Sequence, residues 1–93
     1  MQDKKTNSFA SELKVYPNPA NQQLTLKAGF DSNTSITMEV YDVSGKLIKT
    51  SVYQPAVLQS GVLLDVSDFR EGAYIVRMLS GSEAKTTRFV VSH

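Results

Sequence analysis

The chain has 93 residues, of which 41% are hydrophobic and 20% charged, as is typical of one small globular domain. Its formal net charge of +1 gives no electrostatic reason to expect binding to nucleic acid or to an anionic membrane. Cysteine is absent, which excludes disulfides, thiolate nucleophiles and zinc–thiolate sites.

The first residues of the chain are polar and show no apolar periodicity. We interpret residues 1–12 as a linker and residues 13–93 as the folded domain. The linker lacks the apolar core of a signal peptide, and no apolar run approaches the ~20 residues of a membrane helix. We therefore expect no membrane insertion, and expect the chain to be either cytoplasmic or part of a longer exported protein.

A proline-rich corner separates the first two predicted strands, ELKVY and QLTLKA. Pro17 and Pro19 each fix φ and lack a backbone N–H, so neither fits a central strand or a helix interior. Asn18 and Asn21 favour turns because their side chains can hydrogen-bond the nearby backbone. The segment VYPNPANQQLTL therefore predicts a strand, a rigid turn and a second strand.

Period-two alternation predicts further strands in SITMEVYD, KLIKTSVY, GVLLDV, GAYIVRML and KTTRFVV. Turns are predicted at DVSGK and SGSEA, and QPAVLQS is interpreted as a loop because Pro55 excludes a central strand. In the last strand we expect Phe89 to face the core, and Lys85 and Arg88 to face away from it. The pattern indicates an all-β protein without a long helix: a small immunoglobulin-like β-sandwich of about seven antiparallel strands.

The residue types that carry chemistry are sparse. The single histidine, His93, is terminal and is interpreted as a frayed end rather than as part of a catalytic triad. Asp65, Asp68 and Glu71 could contribute to a calcium site, but they lack the dense oxygen ligands of an EF-hand loop and favour a solvated turn. We therefore predict no catalytic residue, no metal site and no cofactor.

One motif is more specific than these scattered residues. The spacing Phe69-x-x-Gly72-x-Tyr74 lies at the start of a predicted strand. Gly72 allows the backbone to turn, and Tyr74 can bury its ring while its hydroxyl bonds back to the connecting backbone. This arrangement resembles the tyrosine corner of immunoglobulin-like sandwiches. Such a corner stabilises a fold and does not by itself indicate a function.

Four motifs occur in order: VYPNPANQQLTL, VYDVSGKLI, LDVSDFREGAYIVRM and KTTRFVV. Together they resemble the type A C-terminal sorting domain of the type IX secretion system, over nearly all of the chain except the linker. The resemblance implies a seven-stranded immunoglobulin-like sandwich that is not an enzyme. It also implies an N-terminal passenger domain, an outer-membrane translocon with a shuttle β-barrel, and a cell-surface sortase as partners.

The same resemblance implies a path and a set of signal residues. The passenger would be in the periplasm in transit, and then at the cell surface or secreted, with sortase cleavage expected between Asn7 and Glu12. Carried over position by position, the sorting-signal candidates fall in three motifs: Pro17, Asn18 and Pro19; Gly72, Tyr74, Val76 and Arg77; and Lys85, Arg88, Phe89, Val90 and Val91.

Two other functions fit the sequence. The domain could be an immunoglobulin-like accessory module that binds protein or carbohydrate within a larger exported enzyme, with Phe30, Tyr41 and Tyr53 available to stack on sugar rings. It could also be a structural spacer. Position in the gene product discriminates among the three, since a sorting domain must be C-terminal.

Overall fold

The structure is a computed structural model that describes residues 13–31 and 33–93. Over these ranges it contains seven strands and one short helix: β1 (Lys14–Tyr16), β2 (Gln23–Lys27), β3 (Ile36–Asp42), β4 (Leu47–Tyr53), α1 (Pro55–Ser60), β5 (Val62–Asp65), β6 (Gly72–Ser80) and β7 (Glu83–Val91). The predicted strands and turns are confirmed. The predicted linker lies outside the described residues.

The strands form two antiparallel sheets. The three-stranded sheet has the order β1-β2-β5, and the four-stranded sheet has the order β4-β3-β6-β7. The β3–β4 turn contains Gly45 at φ 88°, a left-handed conformation that favours glycine. This arrangement confirms the predicted all-β sandwich.

The core lies between the two sheets, because alternate residues of each strand point inward. In β3 the buried positions are Ile36, Met38 and Val40, and in β6 they include Tyr74, Val76 and Met78. The three-stranded sheet contributes Leu24, Leu26 and Leu64 from the opposite side. The period-two alternation predicted in β3 and β6 therefore matches the observed alternation of buried and less buried side chains.

The segment interpreted as a loop is instead the helix α1. Pro55 occupies its first turn, where a missing backbone N–H costs nothing and the fixed φ suits the helix. Only Leu58 is buried, and its carbonyl accepts a 3.1 Å hydrogen bond from the N–H of Ala28. A six-residue helix with one buried side chain is too short to show a helical period. Within the described ranges, no helix is long and apolar enough to cross a membrane.

The expected orientation of Lys85 was wrong. Lys85 and Phe89 are an even number of residues apart in β7, so they share the inward face, whereas Arg88 lies on the outward face as expected. The Lys85 side chain is only 12% exposed. Its ammonium lies 4.8 Å from the centre of the Phe30 ring and 3.5 Å from Glu83 Oε2.

Candidate functional site

The proline corner connects two strands of the three-stranded sheet and contacts the other sheet on the way. β1 pairs with β2 in the three-stranded sheet, and the peptide bonds preceding Pro17 and Pro19 are both cis. Beyond them Ala20 forms a parallel bridge with Val91 of β7. The N–H of Ala20 donates to Val90 O at 2.8 Å, and the N–H of Ser92 donates to Ala20 O at 2.8 Å. The corner therefore joins the end of β7.

Asn18 completes this junction with its side chain. Its Oδ1 accepts a 2.9 Å hydrogen bond from the N–H of Val90, and its Nδ2 donates to Arg88 O at 3.4 Å. The amide of Asn18 thus takes the place of a neighbouring strand at the outer edge of β7. Two candidate motifs at opposite ends of the sequence are brought together by these bonds. We refer to Asn18 and Ala20, with their hydrogen bonds to β7, as the Asn18 clamp.

The tyrosine corner lies where the connection from β5 enters β6. The Tyr74 hydroxyl donates a 2.6 Å hydrogen bond to Arg70 O, and the buried Tyr74 ring lies 5.1 Å from Phe69 and 5.5 Å from Phe89, centre to centre. Gly72 has φ 150°, a conformation rarely adopted by other residues. The predicted corner is confirmed, and it fixes β6 and β7 relative to the β5–β6 connection.

His93 is not frayed, contrary to our interpretation. Its backbone N–H donates to Glu71 Oε2 at 3.1 Å, and its ring Nε2 lies 2.7 Å from Phe69 O. Because a carbonyl oxygen can only accept, Nε2 carries the proton in this contact. The ring Nδ1 lies 3.4 Å from Asn21 Oδ1. His93 therefore ties the segment after β7 to the tyrosine corner.

Of the acidic residues considered for calcium, Asp65 stabilises a turn and Glu71 accepts the bond from the His93 N–H. Asp65 Oδ1 accepts bonds from the Ser67 N–H at 2.9 Å and the Ser67 hydroxyl at 2.7 Å, and these bonds hold the pKa of the Asp65 carboxyl below its usual value. Asp42 makes the same pair of bonds with Ser44, and its pKa is lowered by them and by the Lys46 N–H. Across the described residues, no group of three His, Cys, Asp or Glu side chains could hold a metal ion.

The three aromatics considered for sugar stacking do not share a surface. Phe30 and Tyr53 pack against the core. Tyr41 lies on the other face of the four-stranded sheet, where its hydroxyl donates to Glu39 Oε1 at 2.8 Å. This bond is the first cause of a raised Tyr41 pKa, because the carboxylate stabilises the protonated phenol. The structure provides no flat aromatic platform from these residues.

The sorting-signal candidates divide by exposure. Four of them are buried in the core: Tyr74, Val76, Phe89 and Val91. Lys85 is mostly covered. The exposed candidates are Pro17, Asn18, Pro19, Gly72, Arg77, Arg88 and Val90. Sequence reasoning identified these motifs but missed their contact, because a single sequence gives no signal that Asn18 bonds to a residue 72 positions away.

The two-sheet sandwich and its tyrosine corner place the molecule in the class of immunoglobulin-like β-domains. Within that class, the family described as secretion system C-terminal sorting domain matches residues 14–92, and the chain belongs to this family. The family indicates a C-terminal sorting signal for type IX secretion, which directs export toward the cell surface or secretion. It is not an enzyme family. A search of curated proteins found no match.

Proposed function

We propose that residues 13–93 carry a passenger from the periplasm across the outer membrane through the type IX translocon and its shuttle β-barrel. The family match over residues 14–92 carries this proposal, because it includes both the proline corner and β7. Residues 1–12 act as the linker to the N-terminal passenger. Cleavage by the cell-surface sortase falls between Asn7 and Glu12, after which the passenger is attached to the surface or released.

The exposure of the candidate residues supports two different roles, one in stabilising the fold and one in contacting a partner. Buried Tyr74, Val76, Phe89 and Val91 cannot contact a partner while the domain is folded, so they hold the signal in shape. The exposed residues at the Asn18 clamp and on β7 are available for contact. We place the recognition surface there, with Arg88 as its exposed cation.

An export assay tests this proposal with a passenger fused to the whole chain in a bacterium that has the type IX system. Deleting Thr86–His93 should leave the passenger in the periplasm, but the deletion also removes core residues. Arg88→Glu is the cleaner variant, because Arg88 is exposed and such substitutions usually change stability by no more than about 0.5 kcal/mol. Lys27→Glu, an exposed reversal in the other sheet, is the matched control.

The expected result is reduced surface delivery for Arg88→Glu, normal delivery for Lys27→Glu, and unchanged thermal stability for both. If the folded Arg88→Glu variant is exported normally, the export machinery does not recognise the charge of Arg88. If the truncated passenger also reaches the surface, the sorting function is wrong for this chain, and an accessory binding module takes its place.

A further inference from the structure

The backbone N–H and C=O groups of β7 point alternately toward β6 and away from it. β6 and β7 are joined by the two-residue turn Gly81–Ser82, and Ser80 pairs with Glu83 beside it. In a hairpin of this kind alternate residues direct their N–H and C=O toward the partner strand. Counting from Glu83, the even-numbered residues 84, 86, 88 and 90 therefore direct these groups outward.

The Asn18 clamp confirms this alternation. It uses the N–H and C=O of Val90 and the C=O of Arg88, and all three belong to residues assigned to the outward set. The clamp therefore closes the last part of the β7 edge. What remains open is the segment from Ala84 to the N–H of Arg88.

We call this segment, residues 84–88, the open edge. In the part of the chain that the structure describes, the outward N–H and C=O of Ala84 and Thr86, and the N–H of Arg88, have no hydrogen-bond partner. Unpaired strand edges accept further strands, and proteins normally shorten, distort or cover them. Among the described residues, β1 lies near β7 but pairs only with β2, and the hydrogen bonds that cover the β7 edge come from the Asn18 clamp at one end.

The other three edges are less suited to accept a strand. β1 has three residues and β5 has four. β4 is longer, but its pairing with β3 shifts register between Val40 and Tyr41, and such a bulge bends and twists an edge. β7 has nine residues and pairs with β6 without a register shift. Among the described strands, β7 therefore offers the longest regular edge.

We propose that the open edge is a β-augmentation site that pairs with an extended segment of the type IX translocation machinery. The inference rests on the proposed sorting function and adds the form of recognition: backbone hydrogen bonds to residues 84–88, ended by the Asn18 clamp. Main-chain pairing of this kind gives affinity without demanding one side-chain sequence. A machinery that exports many passengers can use it.

Charge defines the chemistry of the partner segment. Arg88 is the last residue of the open edge and its side chain lies on the exposed outer face. Its guanidinium makes no ion pair with any described residue. Arg77 is exposed on the neighbouring strand, opposite Thr86. Because opposite charges on adjacent strands stabilise a sheet, the partner segment carries a carboxylate beside Arg88.

Proline at an outward position separates backbone pairing from side-chain recognition. Thr86→Pro removes the outward N–H and places the ring where a partner strand would lie, while the bonds to β6 remain. Thr86→Ala keeps the N–H and is the matched control. In the passenger assay we expect Thr86→Pro to lower surface delivery by about tenfold, as loss of a backbone bond and a steric block predict, and Thr86→Ala to be delivered normally.

Three outcomes overturn the inference while leaving the sorting function intact. Normal delivery of a folded Thr86→Pro variant excludes edge pairing. Equal loss for Thr86→Pro and Thr86→Ala shows that the side chain is read instead. A wild-type dimer that Thr86→Pro converts to a monomer shows that the edge pairs with a second copy. Failure of the sorting function itself is recognised separately, since passengers with and without residues 13–93 would then be delivered equally.

Amide hydrogen exchange tests the same edge without a substitution that could unfold the domain. The probe is a detergent extract of outer membranes from a type IX strain, with an extract from a strain lacking the system as control. We expect slower exchange at the amides of Ala84, Thr86 and Arg88 with the first extract only. Equal exchange with both extracts contradicts the proposal. These amides could also exchange slowly in the free chain and faster once residues 1–12 are deleted. That result would show that the chain's own N-terminal segment pairs with the open edge, and it would overturn the proposal.

Discussion

The side chain of Asn18 accepts a 2.9 Å hydrogen bond from the backbone N–H of Val90, 72 residues further along the chain. This bond links the corner between the first two strands to the last strand. It explains why an asparagine between two prolines matters to the fold. The prolines set the course of the chain, and the amide between them supplies the contact with β7.

Replacing Asn18 with alanine should therefore loosen the end of β7. The change removes the bonds to Val90 N–H and Arg88 O, which at an exposed site should cost about 1 kcal/mol. For a domain of this size we expect the melting temperature to fall by about 4–8 °C. Calorimetry measures this change. The amide of Val90 should also exchange faster, while that of Val76, in the central strand β6, should change less.

Asn21→Ala is a suitable control for this substitution, because Asn21 is also exposed and lies in the same turn region. Its amide oxygen makes one long contact of 3.4 Å, with His93. If Asn21→Ala lowers the melting temperature as much as Asn18→Ala, the stabilising role of the Asn18 clamp is refuted.

Loss of the tyrosine corner hydroxyl should cost more than loss of the hydroxyl of a half-buried tyrosine outside the core. Tyr74→Phe removes the 2.6 Å bond to Arg70 O and keeps the contacts with Phe69 and Phe89. Because Tyr74 is buried, the free energy of unfolding should fall by about 1–2 kcal/mol. Tyr41→Phe removes a part-buried bond to Glu39 from a residue that is only half-buried, and it should cost less, about 0.5 kcal/mol. Urea unfolding of both variants makes the comparison, and equal losses would contradict it.

The strands could be predicted because their burial alternates with a period of two. In β3 and β6 every second side chain is enclosed between the sheets, so the pattern is explicit in the sequence. The tyrosine corner could be predicted because the spacing of Phe69, Gly72 and Tyr74 is local. Both features depend on residues that are close in sequence.

The helix α1 and the contacts of His93 were missed because they depend on tertiary packing. The helix α1 buries one side chain, Leu58, so its periodicity cannot be read. The contacts of His93 with Phe69 and Glu71 connect residues 24 and 22 positions apart. The face of Lys85 follows from parity alone and could have been assigned correctly. Its ion pair with Glu83 and its position over Phe30 required the structure.

The two Asx turns should make stability fall in acid. Their hydrogen bonds lower the pKa of Asp42 and Asp65 in the folded state. A carboxyl with a lowered folded pKa stabilises the protein above its unfolded pKa of about 4. This contribution is lost as the pH falls through the lower, folded value. Melting temperatures between pH 7 and pH 2 should therefore decline below about pH 4.

In the double variant Asp42→Asn/Asp65→Asn, the melting temperature should fall less steeply in acid than in the wild type, because both amides are uncharged at every pH. Asp68→Asn is the control for removing a nearby exposed carboxylate that accepts no hydrogen bond from the described residues. If the melting temperature of the double variant falls as steeply in acid as that of the wild type, the loss of stability is due to other groups.

Reversing the charge of the two basic residues in β7 should have different effects on stability. Lys85 is 12% exposed, lies 4.8 Å above Phe30 and pairs with Glu83 at 3.5 Å. Glutamate at this position would face the negative ring surface and a second carboxylate, so we expect Lys85→Glu to cost about 1–2 kcal/mol. Arg88 is exposed, so Arg88→Glu should change stability by less than about 0.5 kcal/mol. Lys85→Met keeps the apolar stem without the charge and should fall between them. Thermal unfolding of the three variants orders these costs. A Lys85→Glu variant as stable as Arg88→Glu would show that the contacts of Lys85 contribute nothing to stability.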